Sequence, residues 1–286
     1  MADILAGARD FILANARLLE RRLFEVCFEG AKPEAAGRAV RAYLNLDGGL
    51  GHALEPDVRC SQSQPLFIGM GLAALESACC RDGELATGIC DFLATVSDER
   101  GLVSVFSKDA LKSPIASHWL HAALETGVNP TAELCGLLYY QGVDHPWLRR
   151  ATETIVAVIL DNPPKEAHAL LCAARLAEHL PDRALAGELA RRIASALPGA
   201  SFFIADAPAQ GYGLTPLDFA PRPDSMLRPL FTKSQLEGHL ADLLTRRQPD
   251  GGWPITWDAP SPASAAEWRG IFTLNALLRL AAYGML

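Results

Sequence analysis

Gly51 to Gln64 gathers His52, Glu55, Asp57, Arg59, Cys60 and Gln64 into fourteen residues between a glycine turn and an apolar run. It is the densest polar cluster in the chain. A carboxyl group turned toward an apolar chamber has its pKa raised by desolvation and becomes a general acid, while a neighbouring His or carboxylate holds or relays its proton. Asp57 is the first candidate for that acid, Glu55 the second, and His52 the assisting group. Arg59 and Gln64 are candidates for binding a substrate. The competing structural role is capping of the coming turn by Glu55 and Asp57, with an ion pair to Arg59.

Two further stretches carry residues of the right kinds. Gln210 to Asp224 sets Tyr212, Thr215, Asp218, Arg222 and Asp224 among five prolines and glycines, a composition shared by functional lids and long surface connections. Tyr212 and Asp218 are its candidates for ligand contact. Near the C-terminus stand Trp253, Trp257, Glu267, Trp268 and Arg269. Aromatic faces around a cavity attract a developing carbocation, so Trp257, Trp268 and Arg269 are candidates for substrate binding, and Trp253 for packing. His118, Trp119 and His121 form HWLH, with Glu125 four residues on. A two-His pair needs a third ligand, and spacing alone assigns no metal site here. No P-loop, Rossmann glycine fingerprint, HExxH or GxSxG occurs, so no cofactor is expected.

These residues must be held by a sizeable core. The chain has 286 residues, 50% of them hydrophobic and 21% charged, with 26 Lys and Arg against 33 Asp and Glu. That composition excludes a disordered, collagen-like or highly charged coiled-coil chain. An acidic balance without a basic cluster argues against nucleic acid as a partner. The seven cysteines are odd in number, lack CxxC spacing and sit mostly in apolar runs, reading as buried hydrophobes in a reducing compartment. Asp3, Arg9 and Asp10 interrupt any leader-like stretch, and no apolar run is long enough for a membrane span. The expectation is a cytoplasmic single domain over residues 1–286, monomeric or weakly self-associating, whose partner is a small apolar molecule.

The hydrophobic pattern predicts an all-α fold with two kinds of helix. Residues 64–80, 130–140, 166–180 and 268–283 are apolar nearly all round, as inner helices must be. Between them lie the more polar stretches 33–44, 83–96, 146–161, 182–197 and 234–248. In the stretch 182–197, Leu185, Leu189, Ile193 and Leu197 make one stripe, with Glu188 and Arg192 four apart on the polar side. Strand signals are confined to Leu102–Phe106 and Trp253–Trp257.

An internal repeat runs through this alternation. Asp47-Gly48-Gly49-Leu50 and Asp250-Gly251-Gly252-Trp253 each lead through a loop to an apolar helix, and Glu99-Arg100-Gly101-Leu102 reads as a worn third copy. Gln248-Pro249-Asp250-Gly251-Gly252-Trp253 resembles the QW-type repeat of the squalene–hopene cyclase and protein prenyltransferase β-subunit superfamily, and Asn45 to Gly51 is a looser copy. The segments Gly51–Cys60, Asn129–Leu138, Gly211–Pro221 and Glu267–Leu277 also resemble those of bacterial single-domain prenyltransferase-like proteins without an assigned activity. The resemblance implies an α/α toroid, an irregular six-hairpin barrel of inner helices wrapped by outer ones, with loops at the mouth of a central cavity.

The chain departs from the characterised members of that superfamily in that DxDD and any pair of adjacent aspartates are absent, and no Asp, Cys and His zinc set is assignable. Cys60-Ser61-Gln62-Ser63-Gln64 has the wrong spacing for the internal thioester of a third relative in fold. The leading expectation is a cyclase-like enzyme that promotes acid-assisted cyclisation or rearrangement of an isoprenoid or polyene-like molecule. The alternatives are a non-catalytic lipid or isoprenoid carrier, and a carbohydrate-active (α/α) barrel using Glu55 or Asp57 with Asp218.

Overall fold

The computed structural model describes residues 2–121 and 124–286, apart from the side chains of Ala2 and His121. The described residues form α1 (Ala2–Asn15), α2 (Leu18–Phe28), α3 (Glu34–Arg41), α4 (Pro65–Ser77), α5 (Gly83–Val96), α6 (Val128–Gln141), α7 (Pro146–Asp161), α8 (Ala167–His179), α9 (Arg183–Ala196), α10 (Pro216–Phe219), α11 (Lys233–Thr245) and α12 (Pro262–Ala282). The fold is all-α. Isolated bridges such as Leu44 to Leu50 are the only β pairing among the described residues, and neither Leu102–Phe106 nor Trp253–Trp257 forms a strand.

Local chemistry sets the helix starts. Asp82, Glu166, Asp182, Thr232 and Ser261 each accept a backbone N–H from the first turn of the helix they precede, satisfying donors that have no partner inside the helix. Burial differs sharply between α6 and α9. In α6, Pro130 to Leu138 is almost wholly buried, whereas α9 buries only Ala186, Leu189 and Ile193. No helix is long and apolar enough to cross a membrane, among the described residues.

The apolar helices pack in succession: α2 on α4, α4 on α6, α6 on α8, and α8 on α10, while α12 returns to α2. Arg279 of α12 donates to Asp218 of α10 at 2.6 Å, and the Tyr283 hydroxyl just beyond α12 donates to Ala220 O at 2.8 Å. These contacts run in a cycle. The approach of α6 to α8 depends on Gly136, where a side chain would meet Arg175 O at 2.5 Å. Beside them, α1 lies on α12 and α2, α3 on α2 and α4, α7 on α6, α9 on α8, and α11 on α10.

The three repeat copies share one hydrogen-bonding pattern. Asn45 N–H donates to Gly49 O and Gly48 N–H to Asn45 O; Asp98 N–H donates to Leu102 O and Gly101 N–H to Asp98 O; Gln248 N–H donates to Gly252 O and Gly251 N–H to Gln248 O. Gly48, Gly101 and Gly251 all have φ between +84° and +90°, a conformation that glycine adopts without steric cost. Each turn also lies against the next polar helix: Gly48 on Gly88 of α5, Gly101 on Ala151 of α7, and Gly251 on Gly7 of α1. The last of these joins the end of α11 to the first helix of the chain.

Residue Trp253 secures the same joint. Its backbone N–H donates to Thr273 Oγ1 at 3.0 Å and its indole to Leu243 O at 2.7 Å, and Val103 makes the equivalent backbone contact to Thr131 Oγ1 at 3.0 Å. Replacing Gly251 with Ala should therefore destabilise the fold by more than about 2 kcal/mol, through both the left-handed backbone and the clash with Gly7. Gly83 has open space around it and an ordinary φ, so Gly83→Ala should change stability by less than about 1 kcal/mol. Denaturant unfolding of the two variants checks the contrast.

Candidate functional site

Residues Gly51 to Gln64 fold back on themselves before α4 begins. His52 N–H donates to Ser61 O and Ala53 N–H to Cys60 O, while Arg59 N–H donates to Pro114 O and Ala116 N–H to Asp57 O. His52 and Ala53 have φ of 57° and 56°, a left-handed pair that costs side-chain-bearing residues energy and marks the sharp reversal. The reversal turns Glu55 and Asp57 inward, where they are 3% and 1% exposed.

Asp57 is a bridge between the two ends of the chain. Its Oδ1 accepts from Ser264 Oγ of α12 at 2.7 Å, its Oδ2 accepts from Trp257 Nε1–H at 2.9 Å, and His118 Nε2 lies 3.8 Å from Oδ2. Glu55 is differently placed. Burial, then the negative charge of Asp57, pushes its pKa up to about 8, which the nearby Asp57 and Val58 backbone N–H groups lower only in part. Its Oε2 is buried without a hydrogen-bond partner, and so is Trp119 Nε1.

The other expected residues divide by position. His52 is exposed, on the outside of the reversal, and is not brought to Asp57. Arg59 pairs with Glu267 of α12 at 2.5 Å, and Gln64 Oε1 accepts the Ser107 N–H at 2.8 Å. Arg269 pairs with Asp250 at 2.8 Å and lies over the Phe11 ring at 4.4 Å, bracing the last repeat turn. Trp268 and Arg269 lie past the first turn of α12, not at its start, because Ser261 caps the helix and Pro262 opens it.

Tyr212, Asp218, Trp257 and Trp268 come together around a chamber of about 300 Å³, also lined by His168, Phe272 and Arg279. That volume is near the lower end of the roughly 300–1,000 Å³ common for small-molecule sites. Trp257 links the aromatic residues of the lining, with ring centroids 5.2 Å from Trp268, 5.5 Å from Phe272 and 6.0 Å from Tyr212, all edge to face. Both carboxylates in the lining are committed. Burial raises Asp218, but Arg279 and Thr215 more than offset this and hold its pKa below the usual value; Asp242 pairs with Arg246 at 2.9 Å. Glu55, Asp57, Arg59 and Arg269 line neither this chamber nor the second cavity.

The second cavity, of about 420 Å³, shares Asp218, Asn275 and Arg279 with the first. Glu76 joins His179 at 2.6 Å and Arg175 at 3.4 Å in its lining. Among the described residues no cluster of His, Cys, Asp and Glu is arranged to hold a metal ion. The side chain of His121, half of the HWLH pair, lies outside the described residues, while His118 faces Asp57 instead. Sequence reasoning missed His118 as the neighbour of Asp57, and Phe272 and His168 as chamber walls. An EAHAL segment opening an apolar helix, with an aromatic at 272 one turn beyond Trp268, is the signal for the latter two.

No family model and no curated protein sequence matches the chain. A crystal structure of a protein from Actinoplanes is similar, with a TM-score of 0.56 and 17% sequence identity over 99% of this chain and 99% of that chain. The likeness carries the fold and says nothing of activity.

Glu55 also sets a pH dependence. The folded chain retains this proton up to about pH 8, whereas the unfolded carboxyl releases it near 4.5, so between those values the native state binds more protons. Stability then falls as pH rises through that window, by up to about 1.4 kcal/mol per pH unit, and levels off above it. In Glu55→Gln the side chain stays neutral throughout. Urea unfolding from pH 5 to 9 should show the stability difference moving in the variant's favour up to about pH 8.

Proposed function

We propose that this chain encloses an isoprenoid or polyene-like molecule in the aromatic chamber and promotes its cyclisation or rearrangement through a cationic intermediate. The observation that carries the reading is the edge-to-face set of Trp257, Trp268, Phe272 and Tyr212 around one small chamber. Such a wall attracts positive charge, each ring contributing about 0.5–2 kcal/mol according to its desolvation. The QW-like repeat supports the same reading.

Asp57 then acts through Trp257. Its carboxylate accepts the indole N–H, which fixes the orientation of that ring, and Ser264 fixes the carboxylate. That arrangement makes Asp57 a positioning residue in the proposal, with Glu55 beside it as a neutral acid. A glycosidase would need two free carboxyl groups across the site, whereas Asp218 and Asp242 are both engaged by arginines. A carrier without chemistry is favoured by one observation, that neither Glu55 nor Asp57 lines the chamber.

The test compares a short alkyltrimethylammonium ion with its neutral tert-butyl isostere, each displacing a fluorescent apolar dye. Preference for the cation by at least about tenfold, or about 1.4 kcal/mol, is expected, and it should shrink in Trp268→Ala. Equal affinities would leave the carrier reading, and failure of both compounds to bind would remove the chamber as a ligand site.

A further inference from the structure

Three groups at the rim of the chamber form a chain that the functional reading has not used. Glu166 precedes α8 and accepts the backbone N–H of His168 at 2.9 Å and of Ala169 at 3.1 Å. Its Oε1 also meets His168 Nδ1, and His168 Nε2 lies 2.8 Å from the Tyr212 hydroxyl. The two rings stack, with centroids 5.6 Å apart and planes 14° from parallel. His168 and Tyr212 both line the chamber, and Tyr212 is half exposed.

Donor and acceptor roles follow from this order. A carboxylate that accepts two backbone N–H groups takes the imidazole Nδ1–H as a further donor. Burial raises the Glu166 pKa, but His168 and those backbone donors more than offset this and hold it below the usual value, so the carboxylate is ionised at neutral pH. In the tautomer whose Nδ1–H is given to Glu166, the lone pair lies on Nε2 and the phenol donates to it. The resting order is carboxylate, Nδ1–H, Nε2, H–O.

We propose that Glu166, His168 and Tyr212 form a proton-accepting relay for the chamber, with Tyr212 as the catalytic base that ends a cationic reaction. The proposal rests on the cation reading above and supplies its missing base. The C–H bond next to the cationic carbon breaks, and its electron pair becomes the new C=C bond. The proton passes to the Tyr212 oxygen as the phenolic proton passes to His168 Nε2. Glu166 stabilises the resulting imidazolium, and the partly open side of the pair returns the proton to water. His168 and Glu166 act through Tyr212 and are positioning residues.

Burial and the charges of Glu166 and Asp218 raise the Tyr212 pKa, so the phenol attacks an electrophile only as His168 takes its proton, which permits a test of the relay without the substrate. A small arylsulfonyl fluoride would form an O–S bond at Tyr212, lose fluoride from sulfur and pass the phenolic proton to His168. Intact-mass and peptide analysis should show preferential labelling at Tyr212 and none there in Tyr212→Phe. The rate at Tyr212 should fall at least about tenfold in His168→Phe, which keeps the stacked ring, and fall in Glu166→Gln, which keeps the capping oxygen. Circular dichroism checks that both variants fold. Equal rates in wild type and His168→Phe, or no preference for Tyr212 over the other four tyrosines, would overturn the relay. Labelling needs no occupant in the chamber and ammonium binding needs no relay, so the two proposals fail separately.

Discussion

The structure depends on how the polar helices are stopped. At residues 45–49, 98–102 and 248–252 the chain closes the same pair of backbone hydrogen bonds around a glycine at positive φ, and each glycine lies on the next polar helix. Packing of apolar faces is non-directional and would permit several stackings of similar helices. A backbone turn with no room for a side chain is directional. Used after α11, it brings the end of the chain onto α1, and α12 then returns to α2.

That closure creates the site. Asp57 and its two donors are about two hundred residues apart in sequence, and they meet because α12 lies beside the N-terminal helices. Ser264 and Trp257 satisfy both oxygens of a carboxylate that is removed from water, which makes its burial tolerable. Trp257 in turn faces the chamber. The Asp57 carboxylate therefore sits one residue behind the wall, where it holds the Trp257 ring by its indole N–H.

Periodicity made most of the fold legible. The expected boundaries at 83–96 and 146–161 coincide with α5 and α7, and the apolar stretches 64–80, 130–140 and 166–180 correspond closely to α4, α6 and α8. The start of α12 at Pro262 was hidden because Pro-Ala-Ser-Ala-Ala carries little hydrophobic pattern, while its cap and proline do announce it. Residue type singled out Tyr212, Asp218, Trp257 and Trp268 along with Arg59, Gln64 and Arg269, but not that only the first four would line one chamber. Whether Glu55 and Asp57 reach the cavity was not, since a loop's direction depends on long-range pairing with residues 114–116. His168 reads as an ordinary helix residue until the Tyr212 loop is placed beside it.

The central claim is that the aromatic wall surrounds a ligand, and a crystal structure with decyltrimethylammonium tests it most directly. The account predicts the ammonium head among Trp257, Trp268 and Phe272, with the alkyl chain inside the same chamber. An empty chamber at saturating concentration, or a head group seated elsewhere, would contradict it.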